Sequence, residues 1–376
     1  MKRLAALAAG LVLVAGCGSD SSSSSPGAAS GSAKLSAAQG LIDKYSAEPT
    51  FSPPGDPFDA AAGMKGKKIM EIPITSEIPL TQVIAKEMSA QAKRIGFPLK
   101  VWENQGKSDQ WVQGMQTAIA QHYDAIDLLG IDPKLLKPQI EQARAAGIKV
   151  TSSHLAGFGW QVPSYIDGAI RLPYYEVGQI LAAWAIVKTD GKANTLAIVA
   201  EDLASTADVV KGINDEFARD CPSCKLATRN VPTTQWASGV QKEVASGLQR
   251  DPNVNYLLPI YDAMTQFASA GLQVAGKANK VGMASFNGTP FALQMVADGK
   301  LDMNLGENEV WIGRAILDAA MRAAMDKPVP DDTYAKAPLL VFTKKNVANA
   351  GTPPDPAKGY GESYVAGFDK LWGLAQ

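Results

Sequence analysis

From residue 67 onward, short apolar runs of strand length alternate with amphipathic runs of helix length, and this alternation narrows the choice of fold more than anything else in the chain. A strand at 68–74 precedes a helix over 80–95, which puts Ile84, Met88, Ala92 and Ile95 on one face. Strands at 99–102, 125–129 and 148–152 follow, with helices at 110–121 and from Asp132-Pro133 to about 147 between them. Asp132 supplies a cap and Pro133 a first-turn proline. The second half repeats the pattern: helices at 173–188, 205–219, 236–250, 262–275 and 289–298, strands at 195–200, 226–230, 256–258, 281–285 and 302–305. A last helix aligns Val310, Leu317, Met321 and Ala324. Regular strand–helix alternation requires parallel sheets covered on both faces. Four or five units lie on each side of residue 168, so the expected architecture is α/β, with two similar doubly wound parallel-sheet lobes. In such sheets ligands gather at the carboxyl ends of the strands, where the strand order reverses.

The segment before this body has another character. Lys2 and Arg3 precede an apolar run from residue 4 to 14, followed by Val14-Ala15-Gly16-Cys17. A run of about eleven residues is too short to cross a bilayer, and the pattern reads as a signal peptide over 1–16 with a lipid-accepting Cys17. Residues 18–33 are almost all Ser, Gly, Ala and Pro, and Pro-Pro-Gly-Asp-Pro stands at 53–57. Residues 17–65 are therefore expected to be the lipidated Cys and a flexible tether. An exported chain sits in an oxidising compartment, so Cys221 and Cys224 in Cys-Pro-Ser-Cys are expected to form a small structural disulfide.

Composition removes several functions. Lys plus Arg is 36 against 37 for Asp plus Glu, with no basic tract, so nucleic-acid binding has no electrostatic support. Two His and three Cys supply neither a metal site nor Cys/His catalysis well. There is no G-x-G-x-x-G after a strand, no phosphate-binding G-x-x-x-x-G-K-[ST] and no G-x-S-x-G elbow. The expectation is a protein that is not an enzyme and has no cofactor and no metal.

Three stretches carry a resemblance. Tyr123-Asp-Ala-Ile-Asp-Leu-Leu-Gly-Ile-Asp-Pro133 continues to Ala145-Ala-Gly-Ile-Lys-Val150; Gln235-Trp236 leads to Asp251-Pro-Asn-Val254; and Val281 to Asn287-Gly-Thr289 is followed by Asp298-Gly-Lys-Leu301. Over roughly 66–345 the chain resembles the type I periplasmic solute-binding proteins of ABC importers, in the ribose/galactose-binding branch, here in a lipoprotein form. The related transcription repressors begin with a helix-turn-helix where this chain has a signal and a tether. The resemblance implies an N-terminal lobe of 66–166 plus 306–328 and a C-terminal lobe of 169–303 plus 329–376, joined by a three-segment hinge near 165–171, 285–289 and 303–307. It implies a monomer that takes a small-molecule solute and presents it to an ABC permease, held outside the cell membrane by lipid on Cys17.

Carried over singly, the family's ligand positions fall on Glu77 after the first strand, His154 where an Asp-Arg pair is usual, Tyr261, Asn287 in place of an Asp, and Glu307 in place of a hinge Gln. Asp262 reads as a helix cap. Trp160 and Trp236 are candidate pocket walls, while Trp102, Trp111 and Trp311 read as packing residues. No mapped contact is Lys or Arg, so the expected ligand is polar and neutral, a sugar or polyol first. The losses of Asp-Arg leave a nucleoside-like or aromatic solute, or sensing without transport, as alternatives.

Overall fold

The computed structural model describes residues 26–330 and 337–374, with side chains from residue 34. The signal-peptide and Cys17 readings therefore lie outside the described residues. Among the described residues, no helix is long and apolar enough to cross a membrane.

The first lobe is built from β1 (Ile69–Pro73), α3 (Pro79–Ile95), β2 (Leu99–Val101), α4 (Ser108–Ala120), β3 (Ala125–Leu129), α5 (Lys137–Ala145), β4 (Lys149–Ser153) and β5 (Gly168–Ile170), after α1 (Pro26–Lys44) and α2 (Ala60–Gly63). The second contains α6 (Tyr174–Lys188), β6 (Asn194–Val199), α7 (Ser205–Asp220), β7 (Lys225–Asn230), α8 (Trp236–Arg250), β8 (Tyr256–Pro259), α9 (Thr265–Val274), β9 (Gly282–Asn287), α10 (Pro290–Ala297) and β10 (Met303–Gly306). The chain ends with α11 (Glu309–Ala324), β11 (Leu340–Thr343) and α12 (Ser363–Leu371). The first sheet has the order β2-β1-β3-β4-β5, all parallel. The second has β11-β10-β9-β8-β6-β7, the same 2-1-3-4-5 order with one antiparallel edge strand, β11. Each sheet thus reverses its order once, between β1 and β3 and between β6 and β8, and each reversal opens a crevice at the strand ends.

Core strands are buried on both faces, as parallel sheets require. Met70, Ile72, Ile126, Leu128 and Val150 pack with Met115, Ile140 and Ala143 of α4 and α5. The opposite face of the first sheet meets α3 and α11. Every residue of α11 is buried, which explains why its apolar pattern runs around more than one face.

Three corrections follow. The expected tether over 17–65 is in part a helix: α1 packs on α6 and α7 of the second lobe, with Ala38 and Ile42 buried and Tyr45 O accepting from Val341 N at 2.7 Å. Composition suggested disorder, but Leu35, Leu41 and Ile42 supply an apolar seam that the lobe completes. The assignment of all of 329–376 to the C-terminal lobe also fails. Helix α12 packs on α11, Arg94 binds Asp369, and Phe58 N bonds Leu371 O at 2.8 Å, all on the first lobe. The hinge does have three passages within the body, but β9 and β10 share a sheet, so no passage occurs at 285–289. The third passage is instead the return from α11 to β11, and the terminal segments add one more each.

Cys221 and Cys224 form the expected disulfide, closing the turn between α7 and β7.

Candidate functional site

Both order reversals face one cavity. Its walls come from the segments that follow β1 and β3 in the first lobe (Ile74, Ile78, Leu129) and β6 and β8 in the second (Leu203, Ser205, Tyr261). Including its open mouth, the cavity measures about 640 Å³. It continues outward into a wider cleft of about 1640 Å³ bordered by Glu77, Trp111, Asp202 and Gln266.

His154 ends β4 in the left-handed region, with φ 53°. A carboxylate only accepts, so ring Nε2 donates to Glu307 Oε1 at 3.1 Å, while Nδ1 lies 2.9 Å from the Tyr174 hydroxyl, which also donates to His154 O at 3.1 Å. Asn287 ends β9 with φ 142°; its Nδ2 donates to the same Glu307 oxygen at 2.7 Å and its Oδ1 accepts from Asp262 N at 3.3 Å. Glu307 follows β10 at a passage between lobes, so its one oxygen gathers a residue from each lobe. Asn308 beside it has φ 47° and caps α11 by accepting from Trp311 N at 2.9 Å. Three of the six non-glycine residues with positive φ among the described residues are therefore His154, Asn287 and Asn308. Such strain, roughly 1–3 kcal/mol each, persists where surrounding bonds over-determine it.

Tyr261 shares hydrogen bonds with Ser205 Oγ at 2.8 Å and Thr206 Oγ1 at 3.0 Å, and its ring stacks on Trp236 at 6.3 Å. Burial pushes its phenol up to about 12, so it remains a hydroxyl at neutral pH. Trp236 Nε1 donates to Val231 O at 3.0 Å, which fixes the indole where it lines the cavity and stacks on Tyr261.

The site residues read from the sequence divide into three groups. His154, Trp236, Tyr261 and Asn287 line the inner cavity. Glu307, 1% exposed, stands one layer behind, where it holds two of them. Glu77 is exposed on the rim of the outer cleft, and Trp160 lines neither space. The Trp160 loop touches the other lobe through its backbone: Gly157 N donates to Asp208 Oδ2 at 3.0 Å, and Arg171 holds the Phe158 carbonyl at 2.8 Å. A Cβ on residue 157 would displace the Asp208 carboxylate from this position.

Asp262 is not the cap of its own helix, whose start has no side-chain cap. Fully buried, it accepts from Gly288 N at 3.0 Å, Thr289 N at 2.9 Å, Thr289 Oγ1 at 2.8 Å and Asn304 Nδ2 at 2.6 Å, and so shapes the turn that carries Asn287. Sequence reading also missed Leu155, Leu203 and Ser205 as wall residues. Their position just after strands was the available signal. Among the described residues, no cluster of His, Cys, Asp or Glu could hold a metal, and no Asp, Glu, Lys or Arg lines the inner cavity.

The family described as "Periplasmic binding protein domain" matches residues 72–328. A curated protein of Rhizobium meliloti, "Putative rhizopine-binding protein", is 27% identical over 165 residues, covering 42% of this chain and 52% of that one. The match thus spans about half the length of that relative. The crystal structure of a 5-methylthioribose transporter solute-binding protein from Thermotoga lettingae TMO, in complex with 5-methylthioribose, aligns with TM-score 0.69 and 19% identity over 84% of this chain and 100% of that one. A carbohydrate transporter from Acidothermus cellulolyticus 11B in complex with myo-inositol aligns with TM-score 0.66 and 20% identity, over 78% and 99%. At these identities the likeness is one of fold.

Proposed function

The chain belongs to the periplasmic binding protein domain family, and from that premise we propose that it is an extracytoplasmic receptor for a small, neutral, hydroxylated solute, a sugar or polyol. It captures the solute between its lobes and delivers it to an ABC permease, tethered to the membrane by lipid on Cys17. One observation carries this reading: the strand-order reversals of both sheets meet at a single cavity whose walls hold no Asp, Glu, Lys or Arg among the described residues. A ligand touching both walls binds the closed arrangement preferentially, which is what drives a hinge to shut. The solutes named with the solved relatives, 5-methylthioribose and myo-inositol, are neutral and hydroxylated, in keeping with such a wall.

A thermal-shift screen of sugars and polyols tests the proposal. At a concentration a hundred times Kd, a ligand stabilises by about 2.7 kcal/mol, several degrees for a lobe of this size. Asn287→Ala and Tyr261→Ala are expected to abolish the shift; a shift that survives in both variants refutes the pocket. Export and acylation are tested separately, by whether labelled fatty acid enters the full chain and fails to enter Cys17→Ser.

A further inference from the structure

The polar side chains on the inner wall are already engaged. Thr81 Oγ1 donates to Thr75 O and Ile78 O at 2.8 Å each, and Thr289 Oγ1 to Asp262. Tyr261 and Ser205 bond one another, and Asn287 and both nitrogens of His154 have the protein partners given above. What these groups still offer a ligand is the second Nδ2 hydrogen of Asn287 and the lone pairs of the Tyr261 and Ser205 hydroxyls, at the His154–Asn287–Tyr261 end. Apart from the Trp236 indole, the rest of the lining is mostly aliphatic: Ile74, Ile78, Leu80, Leu129 and Leu155 from the first lobe and Leu203 from the second.

A sugar with hydroxyls all round would lose water from each of them, and each hydroxyl buried without a partner weakens binding roughly 5- to 150-fold. Several such groups against the aliphatic wall would cancel much of the gain from binding. A solute with hydroxyls at one end and an alkyl surface at the other meets no such penalty. We infer that the receptor is specific for a hydroxylated ring bearing a short apolar arm (a deoxy carbon, an alkyl ether or an alkyl glycoside), seated with its hydroxyls toward His154, Asn287 and Tyr261 and its arm between Ile78 and Leu203. This rests on the receptor function proposed above and refines its substrate class. The arm contributes through burial alone, about fourfold in affinity for each added methylene that the wall covers.

Isothermal titration of the full chain with matched solutes tests the inference: D-ribose against 5-deoxy-D-ribose and ethyl riboside, and D-galactose against 6-deoxy-D-galactose and ethyl galactoside. The expected result is that an alkyl or deoxy member binds at least tenfold more tightly than its parent sugar. Leu203→Asn and Ile78→Asn should bring that ratio below threefold, with far-ultraviolet circular dichroism unchanged as the control for folding. Parent sugars binding as tightly as, or more tightly than, their derivatives would overturn the apolar-arm class while leaving the receptor function standing. Binding by no member of either series would overturn both.

Discussion

At the scale of single residues, the site depends on carboxylates that never reach the cavity wall. Glu307 fixes His154 and Asn287, and Asp262 fixes the turn beneath Asn287. A further carboxyl pair lies inside the first sheet, where Glu71 and Asp127 stand side by side on β1 and β3, both fully buried. Burial raises Asp127 to about 6 against the pull of its bonds to Ser153 and Thr151, and burial followed by the Asp127 charge raises Glu71 well above the carboxylate range. The unfolded chain releases the Asp127 proton near pH 4 and the folded one near 6, so the native state holds more protons between them. Stability must then fall as pH rises through that window, by about 3 kcal/mol for this group. Urea melts at pH 4.5 and 7.5 are expected to show about 2 kcal/mol of that loss from Asp127, on top of the same-signed losses from the other raised carboxyls, and Asp127→Asn to remove the Asp127 share. The His154, Tyr261 and Asn287 positions were legible in the sequence through the family resemblance, whose ligand positions sit at strand ends. Glu307's part was half legible: the chain shows that it follows a strand, and only side-chain geometry shows that it binds two neighbours rather than solvent.

Among the elements, the α6–α7 contact is the tightest packing of two helices in the second lobe. Gly178 and Gly212 face each other so closely that a Cβ on Gly178 would overlap the Val209 carbonyl, and one on Gly212 the Tyr175 carbonyl. Backbone cannot yield as a side-chain tip does, so Gly178→Val is expected to cost about 3 kcal/mol or more, read as a lowered midpoint in denaturant melts. Helix α1 makes a second prediction. Ile42 is 3% exposed in the seam with the lobe, and Ile42→Asp should destabilise by roughly 3–5 kcal/mol, whereas a true tether would tolerate it without change. The Ser, Gly and Ala content that made 17–65 look unstructured is weak evidence once a neighbour supplies the apolar surface, because helices in proteins are stabilised mainly by packing. The same reasoning explains α12: its sequence shows an amphipathic helix and does not show which lobe receives it.

For the whole molecule, the lobes are joined by backbone passages and latched across the cleft by contacts that include Gly157 N to Asp208 Oδ2. Asp208→Ala removes that latch without touching the cavity wall, so ligand dissociation should quicken about three- to tenfold, as expected for a half-buried hydrogen bond of roughly 1 kcal/mol, with little change in melting temperature of the free protein. Stopped-flow tryptophan fluorescence would report it. The chain's own alternation of strand and helix was enough to specify two doubly wound lobes and to place a crevice at the strand ends, because backbone hydrogen bonding and face-by-face burial are local consequences of residue order. Which crevice residues converge, that the wall is largely aliphatic, that Glu77 stands at the rim and Trp160 outside, and where α1 and α12 dock were decided only by tertiary structure. Those outcomes depend on how two distant segments close on each other, and no periodicity within one segment encodes the shape of the other.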